Sequence, residues 1–212
     1  MKTVIQVALL VAIIVLGYLL WKSINKPILF NKEKDRIEAA TIQRLKDIRK
    51  AQLAYKAEYK TFTGDFDTLI FFVKTDSFRV VKAIGSVPDS LIEELGRIKA
   101  ERQALKDGLI SRDTVRLSVK DSLFPKNYHI DSLRYVPFTD GLEFELGAGV
   151  LQTTSKVPVR VFEAKVHYDI LLAKLNRQLV INYKEIRETI TGYPGLRVGS
   201  LEETTNNAGN WE

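Results

Sequence analysis

The chain has 212 residues, 45% of them hydrophobic and 27% charged, and a formal net charge of +6. That balance suits a folded protein with a real core. It contains no cysteine, which excludes disulfides, cysteine-ligated metals and thiol catalysis together.

From Val4 to Trp21 the only strongly polar residue is Gln6. A helix over this run spans about 27 Å at 1.5 Å per residue, close to the hydrocarbon thickness of a bilayer. Tyr18 and Trp21 sit at its end, where amphipathic rings favour the headgroup level, and Lys22 follows. A secretory signal would carry a shorter apolar core and small residues at a cleavage site, whereas this run ends Gly-Tyr-Leu-Leu-Trp-Lys. The reading is an uncleaved single-pass anchor over residues 1–22. Lys22, Lys26, Lys32, Lys34 and Arg36 follow the span, and Lys2 alone precedes it. That count favours a cytoplasmic domain, but the short tail before the span offers little to hold back. The expectation is an inner (cytoplasmic) membrane protein with its soluble domain in the periplasm.

Residues 23–60 read as a helical stalk. Pro27 is expected to kink or break the helix just beyond the bilayer, because proline removes a backbone donor and crowds the preceding turn. Asn31 then caps a second helix, whose stripe Ile37, Thr41, Leu45, Ile48, Gln52, Tyr55 and Tyr59 steps by three and four. Two of its members are polar, so it suits a helix lying across a sheet better than a coiled coil. The nine bases between Asn31 and Lys60 outnumber the five acids, placing +4 of the +6 here. Beside a membrane such a stretch can meet anionic lipid headgroups. No nucleic-acid motif accompanies the charge, so no nucleic acid is expected as a partner.

Residues 61–200 read as a soluble α+β domain. Thr63 or Asp65 caps a short helix from Phe66 to Lys74, and a strand follows from Ser77 to Ile84. Ser90 and Glu93 have capping-box spacing at the start of a helix from Asp89 to Asp107. Beyond Gly108 the period turns to two. Strands are expected at Thr114–Val119, Asp131–Val136, Leu142–Leu146 and Val157–His167, with Thr153–Lys156 as a turn, together an antiparallel meander. Ile170–Thr191 is read as helix, and Leu196–Val198 as a last short strand. The polar tail, residues 201–212, carries an isolated Trp211 that is expected to dock on the domain or a partner.

Chemistry-bearing constellations are few. His129 and His167 are far apart and form no HExxH-like spacing, so they read as strand or surface residues. Asp65 with Asp67 suits a capped turn, and Glu143 with Glu145 falls on one face of a strand. Neither pair comes with a nucleophile, base or oxyanion donor at a useful spacing. Gly147-Ala-Gly149 lacks the Lys-Ser/Thr of a phosphate loop. No enzyme, cofactor or metal is expected.

The stretch Arg44-Leu-Lys-Asp-Ile-Arg-Lys-Ala-Gln-Leu-Ala-Tyr-Lys-Ala-Glu-Tyr-Lys-Thr-Phe-Thr-Gly-Asp-Phe-Asp-Thr-Leu69 resembles the helix end and following loop of pseudopilins, the type IV pilin-like subunits of type II secretion machines. The order of anchor, long helix and antiparallel sheet is similar too, and the likeness covers residues 4–70. Where that family carries a Gly-Phe processing junction and a glutamate, this chain has no such junction and offers Gln6. The resemblance implies a structural subunit of a type IV pilus-like or type II secretion-like envelope assembly, associating with itself or with other subunits. Gln6, Tyr18, Trp21, Pro27, Ile37, Leu45, Ile48, Tyr55 and Tyr59 are the residues expected to serve membrane and spine association. A bitopic assembly-platform protein of the same machines, or a membrane-tethered ligand- or glycan-binding module, are the alternative readings.

Overall fold

The computed structural model describes residues 2–152 and 156–212, and most of the Thr153–Lys156 turn lies outside them. The chain forms two compact units, one of Met1–Phe66 with Asp131–Glu212 and one of Asp67–Ile130. The second unit is therefore an insertion within the stretch read as one domain over residues 61–200.

The first unit is built on a single helix, α1 (Lys2–Tyr59), with Pro27 inside it. The expected break at Pro27 does not occur, and Asn31 lies in mid-helix rather than at a cap. Proline forfeits only the bond to the Ser23 carbonyl, a penalty of about 3 kcal/mol. Phe30, one turn on, is buried and ties the continuing helix to the core. Ile37, Thr41, Leu45, Ile48 and Gln52 are all buried, so the three-four stripe is the face α1 turns inward. It packs on β4 and β5 of a three-stranded antiparallel sheet.

That sheet has the order β3 (Glu145–Gln152), β4 (Pro158–His167), β5 (Gly195–Gly199). Its register places Leu146 opposite Ala164 and Ala164 opposite Val198, an apolar row on the inner face. One residue along, Glu145, Lys165 and Arg197 form a charged row on the outer face. The glycines of Gly147-Ala-Gly149 lie on that outer face and leave room for Leu201, whose side chain would stand 2.8 Å from a Cβ at position 147.

Asp131–Val136, expected as strand, is a 3₁₀ turn at Ile130–Leu133 followed by an isolated bridge from Tyr135 to Glu143. The residues buried there are Ile130, Leu133 and Val136, a period of three that a strand cannot place on one face. Ile170–Thr191 is helical in two pieces, α6 (Tyr168–Leu171) and α7 (Arg177–Thr191). The separation is local chemistry: Asn176 Oδ1 accepts from Leu179 N at 3.3 Å and starts α7 afresh.

The second unit holds most of α2 (Phe66–Thr75), a two-stranded antiparallel sheet of β1 (Ser77–Ile84) and β2 (Ser111–Ser118), and three short helices, α3 (Asp89–Leu95), α4 (Arg97–Lys106) and α5 (Val119–Leu123). The expected Asp89–Asp107 helix is thus interrupted at Gly96, which has φ +71°. Only glycine takes that conformation cheaply; here its N–H closes α3 on Ile92 O while its carbonyl accepts from Ala100 N in α4. Pro88 rather than Ser90 precedes α3, and no side chain caps it. Instead of one meander there are two separate sheets, because the hairpin of the inserted unit pairs within itself.

Candidate association surface

The residues expected to mediate association fall into two groups. Gln6, Tyr18, Trp21 and Pro27 lie on α1 with their side chains exposed, amid an apolar surface running from Ile5 through Leu20 and including Ile24, Ile28 and Leu29. The Lys22 ammonium stands 5.9 Å from the Tyr18 ring centre. This helix is long and apolar enough to cross a membrane.

Ile37, Leu45 and Ile48 form the second group, and the chain consumes them itself. Leu45 and Ile48 are both 0% exposed against the sheet layer, so neither is available to a neighbouring molecule. Tyr55 is half-buried and Tyr59 is 50% exposed, their rings 4.7 Å apart at the end of the helix. On the opposite side of this half Arg36, Gln43, Lys50 and Leu53 are exposed, a mostly polar surface.

The seam beneath is fastened by polar groups that periodicity alone does not reveal. Gln52 is fully buried; its Nε2 donates to Thr63 O at 2.6 Å and its Oε1 accepts from Thr63 N at 3.2 Å. Both ends of one amide therefore hold the Thr61–Gly64 turn back against the helix. Nearer the membrane half, Tyr183 of α7 donates to Glu38 Oε1 at 2.8 Å and the Lys34 ammonium lies 4.4 Å from the Tyr183 ring centre. Burial and then the Glu38 carboxylate push the Tyr183 hydroxyl above its ordinary range, and burial with the Glu38 charge does the same to the fully buried Tyr168. Burial opposes the Lys34 charge, but Asp35, Tyr183 and Glu38 outweigh it and raise its pKa.

Two charged clusters decorate the sheet domain. Asp169 takes 2.8 Å and 3.2 Å contacts from Lys184 and His167, with Arg177 at 3.8 Å. The Lys184 hydrogen bond, ahead of the opposing effect of burial, lowers the Asp169 pKa. On the outer sheet face, buried Glu163 lies 2.9 Å from Lys165 and 3.8 Å from Arg197. Burial pushes the adjacent Tyr193 up to about 12, helped by the Glu145 and Glu163 charges. Both clusters are held by internal ion pairs, although Asp169 Oδ1 is buried and accepts no hydrogen bond.

The tail is held in place. Gly199 N donates to Ala208 O, Asn210 N donates to Arg197 O, and Val198 bridges Gly209, so the tail covers the edge of β5. Arg49 of α1 reaches Glu212 Oε1 at 2.7 Å and Asn207 O at 3.3 Å. Trp211 is half-buried, its ring stacked close over Gly209. Sequence reasoning picked out the tryptophan but missed Arg49 and Asn210; the side-chain–backbone bonds of Asn210 join residues 13 and 15 positions apart and carry no periodic signal.

One further concavity lies beside α1. A cleft of about 720 Å³ is walled by Ile37, Phe138, Leu142, Ile170 and Leu175, with Arg36 4.4 Å from the Phe138 ring centre. Phe138 has φ +62°, an unusual conformation for a bulky residue. Among the described residues no group of three or more His, Asp or Glu is arranged to hold a metal ion. No known protein family, curated protein or solved structure matches the chain.

Proposed function

We propose that this protein is a non-enzymatic, single-span subunit of a bacterial envelope assembly of the type IV pilus-like or type II secretion-like kind, working by protein–protein association. One observation carries the reading: α1 is continuous, its second half is packed into the chain's own sheet, and its first half is left as exposed apolar surface. That division leaves association to the front half, because Ile37, Leu45 and Ile48, which the pseudopilin resemblance also offered for it, are buried in the chain's own core. A static bitopic platform protein shares the same build. In either role the span sits in the inner membrane and the sheet domain in the periplasm.

Because the chain has no native cysteine, single thiols report without background. Cysteines placed one at a time from Leu9 to Leu20 are expected to form disulfide-linked adducts in native membranes with a period near 3.6, as one helix face meets a neighbour. Leu45→Cys, buried in the chain's own core, is expected to form none. Absence of adducts throughout the apolar half would overturn the association role.

A second reading, a membrane-tethered binding module, is favoured by the cleft at Phe138. Phe138→Trp fluorescence titrated with cell-wall oligosaccharides would shift saturably under that reading, and a flat titration removes it.

A further inference from the structure

A second concavity lies where α1 leaves its apolar run. Lys22, Ser23 and Lys26 of α1 form one wall and Asn176, Gln178 and Leu179, at the start of α7, form the other. Leu19 closes the end nearer the span, and the cleft has a volume of about 640 Å³. Among the described residues no acid lines it. This distinguishes it from the larger cleft, where Glu33 and Asp140 answer Arg36 and Lys174 at 3.0 Å each. Arg177, between Asn176 and Gln178 in sequence and 74% exposed in its side chain, does not line the cleft and stands 3.8 Å from Asp169.

Depth follows from the helix. If the run ending at Trp21 fills the hydrocarbon, the six residues from Trp21 to Pro27 rise about 9 Å, comparable with a headgroup layer of about 5–8 Å per leaflet. The α7 wall lines the same cleft and therefore lies at the same depth. Along α1 the cleft runs from apolar Leu19, toward the hydrocarbon, through the Lys22 and Lys26 ammonium groups and the Ser23 hydroxyl to Pro27, and the α7 wall adds two side-chain amides and Leu179. A free phosphate would have no use for the leucines.

We infer that this cleft seats the phosphate headgroup of an anionic bilayer lipid, so that the sheet domain lies down on the membrane through the start of α7. The inference rests on the membrane-spanning reading of α1. The docked domain would fix the orientation of the spine relative to the bilayer, which an assembling subunit requires and a swinging tether would not supply.

The test uses the full chain in nanodiscs, with bimane attached to Gln178→Cys and lipid quenchers placed either in the headgroup or in the acyl chain. Leu10→Cys reports insertion of the span, and exposed Lys50→Cys, further along α1, reports the background. The expected result is acyl-chain quenching at position 10, headgroup quenching at 178 and little at 50. Quenching at 178 should be about twofold or more stronger with phosphatidylglycerol than with phosphatidylcholine, and Lys22→Gln/Lys26→Gln should bring that ratio to about one. Loss of quenching at position 10 would overturn the membrane reading itself. Quenching at 10 without quenching at 178, or quenching at 178 indifferent to lipid charge, would overturn the headgroup site alone. Protection of 178 from a water-soluble quencher in native membranes but not in nanodiscs would assign the cleft to a protein partner and overturn it too.

Discussion

Gln52 shows how much one side chain can carry at this junction. Its amide answers both the N–H and the carbonyl of Thr63, in a position with no access to water. Gln52→Leu keeps most of the volume but strands two buried backbone groups, and should cost about 2–4 kcal/mol in urea-induced unfolding. Gln52→Glu keeps the bond from Thr63 N but sets a buried carboxylate oxygen against the Thr63 carbonyl, and should be at least as destabilising at neutral pH. Asp169 is one group through which stability depends on pH. Its pKa is lowered in the folded chain, chiefly by Lys184, from an ordinary value of 3.8. Stability from this group is complete above that unfolded value and is lost as pH falls through the lower folded value. Asp169→Asn should therefore lower the melting temperature at neutral pH, and the gap from wild type should close on acidification toward pH 3. A gap independent of pH would mean that packing, not charge, is what the substitution removes.

At the scale of elements, the sheet is short and relies on what covers its margins. Gly199 has φ +72°, and a Cβ there would clash with Phe162 O on the neighbouring strand. Gly199→Ala combines a strained backbone with a backbone clash, and should destabilise the first unit by about 2 kcal/mol or more. The same residue donates to Ala208 O, so the loss should also appear as faster amide exchange in the tail. The Arg49–Glu212 contact is different in kind. It is partly exposed, with the guanidinium lowering the Glu212 pKa, and Glu212→Gln should change global stability by less than about 1 kcal/mol. What should change is local: tryptophan fluorescence from Trp211 is expected to shift toward that of a solvated ring.

At the scale of the molecule, the apolar half of α1 and the remainder of the first unit obey different solvents. Among the described residues the run from Ile5 to Leu20 exposes twelve large hydrophobic side chains, which water would not tolerate as open surface. Expressed intact, the chain should stay with the membrane pellet through an alkaline carbonate wash, whereas a chain starting at Asn31 should be released. That outcome separates insertion from mere adhesion.

The long apolar helix, the inward stripe of α1, the α2 helix, the strand Ser77–Ile84 and the strand read from Val157, found at Pro158–His167, were legible in advance, because each depends on a local hydrophobic period that survives without knowledge of partners. Local patterning failed where the period was three, at Ile130, Leu133 and Val136, and where a single glycine, Gly96, could either sit inside a helix or divide it. Which side of α1 remains for other molecules was legible only in part, since the stripe suited a helix lying across a sheet while several of its members were also expected to serve association. The stripe looked available for association until β4 and β5 were seen to cover it, since burial is a property of the partner as much as of the residue. The cleft between Lys22–Lys26 and Asn176–Gln178 joins residues some 150 positions apart, a proximity that only long-range folding creates. By itself the sequence determined that this chain has one apolar helix and an α+β body; the tertiary structure decided which surfaces the body spends on itself and which it leaves open, because only packing settles that choice.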